Sequence, residues 1–180
     1  MGFHIQFLLF ILLFEGPKKL VIMLRTVIIS LEGVNLESGF VPREMSLYYL
    51  HDKSYRHYFF ERPDDLVLTE NDQQTNRFYR DVMGGFDLET YIEGSLPFIN
   101  LFYLILRHSS YSVYVVGNVS YKLLRETLPH YTNVTDIRDI SVFVYPRSLE
   151  ESGCGLNHSS PRYCSLAKLK VVNNFCSENL

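Results

Sequence analysis

The sequence predicts one α/β domain, with a mixed sheet that combines a three-strand antiparallel meander with parallel strands and carries helices on its faces. Three β-rich segments joined by short turns come first, and alternating helical and strand segments follow. Antiparallel hairpins followed by βαβ units require a mixed sheet that is covered by helices. A chain of 180 residues has room for one such domain, and too little for two.

The first strand is the best defined element. Residues 20–31 are rich in Val, Ile and Leu, which is typical of a strand buried on both faces and therefore central in its sheet. Residues 33–39 have turn chemistry, and residues 40–50 and 55–61 have the alternating pattern of a second and a third strand. We expect the first strand to lie between segment 40–50 and the strand that ends at Val116.

Helices are predicted from apolar spacing and from capping residues. A polar helix is expected at 69–83, and a buried helix at 95–107 with Ser95 as its N-cap. Two amphipathic helices follow, at residues 118–128 and 164–175. A short strand is expected at residues 112–116, and another short strand with its following turn at residues 134–140.

Residues 1–19 are predicted to be a hydrophobic N-terminal extension, and residues 20–177 the domain itself. The apolar run from Phe7 to Phe14 is far shorter than the roughly 20 residues that span a bilayer, so no stable membrane span is expected. We expect a cytoplasmic or nuclear protein. The alternative is the secretory pathway, with residues 1–16 as a signal, although no Lys or Arg precedes the run.

Three junctions carry polar residues where chemistry is expected. Ser30-Leu31-Glu32 ends the first strand, Gly117-Asn118-Val119-Ser120-Tyr121-Lys122 leads from a later strand into a helix, and Tyr163-Cys164-Ser165-Leu166-Ala167-Lys168 begins the last helix. In this order of elements, the junctions resemble the three motifs of the DEDD 3′–5′ exonuclease superfamily, which has the ribonuclease H-like fold. The resemblance covers roughly residues 22–175, and the chain also looks like arthropod and arthropod-virus proteins of this kind.

The resemblance implies a degenerate active site. In that family the first motif is Asp-x-Glu; here Glu32 is kept as a remnant and Ser30 replaces the Asp. The second motif ends in an Asp that Lys122 replaces, and in the third motif Tyr163 and Lys168 stand for His and Asp. One of four metal carboxylates survives, which is too few for catalysis by paired metal ions. Either Lys122 or Lys168 pairs with Glu32 in the vacated site, or all three are ordinary solvated side chains.

The leading hypothesis is therefore a catalytically inactive exonuclease-like domain that acts as a nucleic-acid or protein interaction module. Its net charge of −3 excludes a global basic field, so nucleic acid would have to meet a local patch. The residues proposed to contact nucleic acid are Asn118, Lys122 and Lys168. Two alternatives are open: an active metal-dependent 3′–5′ exonuclease that uses Glu32, Asp136 and Asp139, and a secreted or structural protein. We favour turn and cap roles for the two aspartates.

Cys154, His158 and Cys164 bring three soft metal ligands into eleven residues. A structural zinc ion is one interpretation, although zinc sites usually have tighter pairs and a fourth ligand. The other interpretation is a polar loop whose cysteines pack as small hydrophobic residues. No other cofactor is expected.

Overall fold

The computed structural model of the protein describes residues 25–83, 88–139 and 164–179. In these residues, five strands form one sheet in the order β3-β2-β1-β4-β5. The strands are β1 (Thr26–Leu36), β2 (Gly39–Tyr49), β3 (Ser54–Phe59), β4 (Ser112–Val115) and β5 (Val134–Asp136). The pairs β1–β2 and β2–β3 are antiparallel, whereas β1–β4 and β4–β5 are parallel. The predicted mixed sheet, with its antiparallel meander and its parallel strands, is confirmed.

The central position of β1 is also confirmed. Its residues Val27, Ile28 and Ile29 are at most 1% exposed, because both faces of the strand are covered. A strand with apolar side chains on both sides is stable only between two packed layers, which explains the unbroken apolar run.

Helices cover both faces of the sheet. They are α1 (Glu70–Phe78), α2 (Ile99–Leu106), α3 (Asn118–Thr127) and α4 (Ser165–Asn179), with a π-helical turn at Tyr79–Met83 and a 3₁₀ turn at Ile137–Asp139. One face packs on α2 and α3 through a core that includes Val27, Ile29, Met45, Leu47, Leu101, Ile105 and Leu124. The other face packs on α4 through a smaller core that includes Ile28, Tyr48, Leu169 and Val172.

Two elements differ from the prediction. The first strand does not turn at Gly33 but continues to Leu36, with a β-bulge that shifts the register between Glu32 and Gly33. Helix α2 begins at Ile99 and not near Ser95, since Leu96 forms a bridge with Phe60 and exchanges backbone hydrogen bonds with residues 59 and 61. The proline at position 97 favours this extended conformation, because the residue before a proline is biased away from helix.

Some predictions concern residues that the structure does not describe. The N-terminal extension at residues 1–19 lies outside them, and so do Cys154, His158 and Tyr163. The domain predicted at 20–177 is described over the ranges given above.

Candidate functional site

Two glutamates face each other on neighbouring strands at the α4 side of the sheet. Glu32 of β1 and Glu44 of β2 are directly opposite in the antiparallel register, beside the bulge at Gly33. The Glu44 side chain is 1% exposed and that of Glu32 is 14% exposed. Like charges directly opposite each other in a sheet are destabilising, so both carboxylates need positively charged or hydrogen-bonding partners.

Lys168 provides the positive charge for Glu32. It lies in the first turn of α4, and its ammonium group donates a hydrogen bond to Glu32 Oε1 in a largely buried ion pair. Of the two alternatives that the sequence leaves open, the structure shows an ion pair for Glu32 and Lys168 and a solvated side chain for Lys122. The register of α4 explains the contact, because its apolar residues Leu169 and Val172 pack on β1 and β2 and hold the helix over this end of the sheet.

His57 and Cys164 contact the second glutamate. Glu44 Oε1 lies 2.6 Å from His57 Nε2 and accepts a longer hydrogen bond, 3.5 Å, from the Cys164 thiol. His57 comes from β3 and Cys164 immediately precedes α4, so Glu44 ties the meander to the helix. All these groups are largely or fully buried, and the arrangement presents no exposed nucleophile or base to a substrate.

A pair of buried serines fixes the start of α4 on the sheet. Ser46 Oγ of β2 and Ser165 Oγ of α4 are 2.6 Å apart, and neither residue is exposed. Because Ser165 is the first residue of the helix, this hydrogen bond positions Lys168 one turn later. The resulting site, called here the polar cluster, comprises Ser30, Glu32, Glu44, Ser46, His57, Cys164, Ser165 and Lys168.

Glu44 and His57 were not recognised from the sequence, although a signal for them exists. On β2, the apolar residues Met45 and Leu47 alternate with Glu44 and Ser46, which assigns the polar pair to the opposite face. The same alternation places His57 of β3 on that face. The sequence does not reveal that Glu44 lies opposite Glu32, since this register depends on the bulge.

The second predicted motif, at residues 117–122, lies apart from the polar cluster. Asp136, at the end of β5, accepts hydrogen bonds from the backbone N–H and the guanidinium group of Arg138, and Arg138 also donates to Asn118 Oδ1 at 2.6 Å. Burial alone would raise the pKa of Asp136, but the side-chain and backbone hydrogen bonds from Arg138 outweigh burial and lower it. The bond between the Asp136 carboxylate and the N–H two residues later is a turn contact, as predicted.

Asp136 and Glu32 belong to opposite faces of the sheet. Asp136 is in register with Val115 of β4, and Val115 is in register with Ile29 of β1, whereas Glu32 lies on the Ile28 face. The other alternative ligand, Asp139, is exposed. The carboxylates of the active-exonuclease alternative therefore do not converge in this structure.

Lys122 does not join the polar cluster. Its side chain is 78% exposed on α3, and its ammonium lies 3.9 Å from the carboxylate of Glu126, one turn further along the helix. Such exposed pairs contribute little stability, roughly 0.3–0.5 kcal/mol, so the ammonium is readily available to another anion.

Of the three predicted zinc ligands, the structure describes only Cys164, which is buried and donates a hydrogen bond to Glu44 Oε1. Within the described ranges, no three His, Cys, Asp or Glu residues are arranged to hold a metal ion. The same ranges contain no helix long and apolar enough to cross a bilayer.

Comparison with models of protein families, with curated proteins and with solved structures found no match to this chain.

Proposed function

We propose that this protein is an exonuclease-like domain of the ribonuclease H-like type that has lost catalysis and functions by binding nucleic acid. Two features of the fold support the proposal. The meander β1–β2–β3 continues into the parallel strands β4 and β5, as the resemblance implies. The first and third motifs, which are far apart in sequence, meet at one place on the sheet.

The Glu32–Lys168 ion pair is the observation that carries the proposal. In the family, carboxylates at these positions hold two metal ions that activate water and stabilise the leaving oxygen. Here the three corresponding side chains in the cluster, Ser30, Glu32 and Lys168, carry no net charge. Mg²⁺ gives up its water reluctantly and prefers carboxylate oxygens, so a site filled by an ammonium group does not attract it.

Lys122 supports the proposal that the protein binds nucleic acid. It belongs to the second motif, and most of its side chain is in solvent. A lysine near a phosphate backbone displaces a counterion, which makes binding weaker as salt is added.

The test of catalysis is incubation of end-labelled single-stranded DNA and RNA with the protein in Mg²⁺ or Mn²⁺. We expect no degradation above that of a buffer control. Metal-dependent degradation that disappears in Glu32→Ala would contradict the proposal and favour the active exonuclease. A variant with both Ser30→Asp and Lys168→Asp returns two carboxylates beside Glu32, and we expect Mn²⁺ to raise its melting temperature but not that of wild type.

The test of binding is a filter or anisotropy titration with the same oligonucleotides at several salt concentrations. We expect salt-sensitive binding that weakens in Lys122→Ala. The matched control is Arg77→Ala, which removes an exposed positive charge from α1 and should leave the affinity unchanged. Equal losses in the two variants would show that the effect is one of net charge alone.

A further inference from the structure

A cleft lies on the opposite face of the sheet from the polar cluster, between the β2–β3 hairpin and the residues that follow α2. Its volume is about 350 Å³. The residues that give it its chemistry are three tyrosines, two arginines and a serine: Tyr49, Tyr58, Tyr111, Arg56, Arg107 and Ser54. We call it the tyrosine–arginine cleft.

Hydrogen bonds and ring contacts set the orientation of the rings at the floor of the cleft. His108 Nδ1 lies 2.7 Å from the Leu104 carbonyl oxygen, so this nitrogen carries the proton and donates. The other ring nitrogen, Nε2, then accepts from the Tyr49 hydroxyl at 2.8 Å. The Tyr111 ring packs against both, with centroids 5.2 Å from His108 and 6.1 Å from Tyr49. A preorganised ring surface of this kind binds a flat ligand without first having to order itself.

The cleft is positively charged although the chain as a whole is negative. Arg56 and Arg107 are both exposed, and neither guanidinium group forms a hydrogen bond or a salt bridge with a residue of the described ranges. The carboxylate at the rim, Asp52, is held by the backbone N–H and hydroxyl of Ser54 at 3.0 and 2.7 Å. Two arginines therefore face one aspartate that is already engaged in the hairpin turn.

The two arginines and Tyr49 line the same cleft. Burial raises the pKa of the Tyr49 phenol and the neighbouring Tyr58 and Tyr111 phenols add to this, while Arg107 and Arg56 oppose it. Arg56, Arg107 and Tyr49 line the same cleft, so an anion bound there lies between the two arginines and the tyrosine ring.

We propose that the tyrosine–arginine cleft binds a nucleotide through its phosphate and its base. Arg56 and Arg107 hold the phosphate, because the planar guanidinium group forms paired, charge-assisted hydrogen bonds with phosphate oxygens. The partly exposed tyrosine rings stack on the base, a contact that aromatic side chains form with any base because every base has a flat ring face. The volume of the cleft fits a ligand of this size.

The proposal goes beyond a degenerate exonuclease site, because the cleft shares no residue with the polar cluster and needs none of the three motifs. Two kinds of ligand carry both a base and a phosphate: a free nucleoside monophosphate, and the phosphorylated end of a nucleic-acid single strand. An anion without a ring would use the arginines alone, so the tyrosines distinguish a nucleotide from inorganic phosphate.

The test uses the full chain and isothermal titration with adenosine monophosphate, adenosine, inorganic phosphate, a short oligonucleotide with and without a 5′-phosphate, and a phosphotyrosine peptide. We expect the monophosphate to bind at least about tenfold more tightly than adenosine or phosphate alone, since each half of the ligand contributes one tenfold step of about 1.4 kcal/mol. Tighter binding of the phosphorylated oligonucleotide than of the monophosphate identifies a strand end as the natural ligand. The reverse order identifies a free nucleotide.

Variants locate the site. Arg56→Gln and Arg107→Gln should each weaken monophosphate binding by about tenfold, because each substitution removes a charge-assisted hydrogen bond to the phosphate. Tyr111→Leu should weaken binding of the monophosphate but not of inorganic phosphate. The matched control Arg77→Gln should change neither, and a thermal melt of each variant checks that it is folded.

Three results would overturn the proposal: no binding of either phosphorylated ligand at millimolar concentration, binding that the Arg56 and Arg107 variants leave intact, or tighter binding of the phosphotyrosine peptide. Lys122→Ala should not alter monophosphate binding. The cleft and the proposed exonuclease-like function can thus fail separately.

Discussion

Glu32 and Lys168 form a largely buried ion pair between residues that are far apart in sequence. The Lys168 ammonium offsets the charge of Glu32, which lies opposite Glu44 in the sheet. Glu32 therefore has a structural partner in the fold, whatever its role in function.

Breaking this pair from either side should cost more than removing both partners. We expect Lys168→Met to lower the free energy of unfolding by about 1–3 kcal/mol, because Glu32 keeps its charge opposite Glu44 in a largely buried place. Glu32→Gln should have a similar effect, and the double variant should lose less than the sum of the two. Urea unfolding of the four proteins measures the coupling.

The exposed pair Lys122–Glu126 provides the control for this cycle. Lys122→Met should change stability by less than about 0.5 kcal/mol, as expected of a solvent-exposed pair at positions i and i+4. Additive losses at Glu32 and Lys168 would mean that the ion pair contributes no coupling energy.

Whether a site residue could be predicted depends on whether its position is set by local sequence or by strand register. Glu32 and Lys168 could be predicted because each lies in a local motif next to a recognisable strand or helix end. Glu44 and His57 could not, since their place beside Glu32 depends on strand register. The hydrogen bond from Arg138 to Asn118 could not be predicted either, because it joins residues that follow two different parallel strands.

At the scale of elements, the β-bulge between β1 and β2 sets this register. Glu32 pairs with Glu44 but Gly33 pairs with Pro42, so Arg43 is the extra residue on β2. The Arg43 guanidinium is buried and donates to the carbonyl oxygens of Phe60 and Thr90 at 2.8 and 2.7 Å. A proline in a paired strand is tolerated at a bulge, which agrees with the position of Pro42.

Gly33 is required at the bulge for steric reasons. A Cβ atom there would lie 2.1 Å from the Val41 carbonyl oxygen and 2.7 Å from Pro42 Cα, both of which are backbone atoms. We expect Gly33→Ala to lower the free energy of unfolding by roughly 2–4 kcal/mol, because the strands must move apart to make room. Urea unfolding measures the loss.

Gly39 is the matched control for this substitution. It lies at the start of β2 with φ +128°, and a Cβ atom there would meet nothing within 4 Å. Gly39→Ala should therefore cost only the backbone strain of about 1–2 kcal/mol. If Gly33→Ala costs no more than Gly39→Ala, the strands at the bulge yield more easily than the close contacts indicate.

At the scale of the whole molecule, the order and burial of the strands were predictable and several boundaries were not. An apolar run buried on both sides identified β1 as central without any knowledge of its partners. The start of α2 was misplaced because the extended conformation of Leu96 is fixed by a tertiary bridge with Phe60, which local spacing does not reveal.

The stability of the whole protein should depend on pH through His108. Burial lowers the pKa of His108 below its ordinary value of 6.5, and the nearby Arg107 adds to this. The folded state disfavours the charged ring. The contribution of neutral His108 to the free energy of unfolding is therefore fully present above pH 6.5, and it is lost as the pH falls from there through the lowered folded-state pKa. Urea unfolding between pH 8 and pH 5 should show this loss.

His108→Gln should flatten that pH dependence, because glutamine can replace both hydrogen bonds of the ring without titrating. Asp136 does not interfere, since its pKa is lowered from 3.8 and its contribution is lost only in more acidic solution. An unchanged slope in His108→Gln between pH 8 and pH 5 would assign the dependence to another group.

The position of α4 has a consequence for the order in which the chain can fold during synthesis. Lys168 is 136 residues away from Glu32, and Ser165 is 119 residues away from Ser46. On the ribosome the meander emerges first, with two glutamates opposite each other and no lysine to separate their charges. That half of the sheet cannot reach its final stability until residue 168 has left the exit tunnel, so the sheet is completed only after α4 has been made.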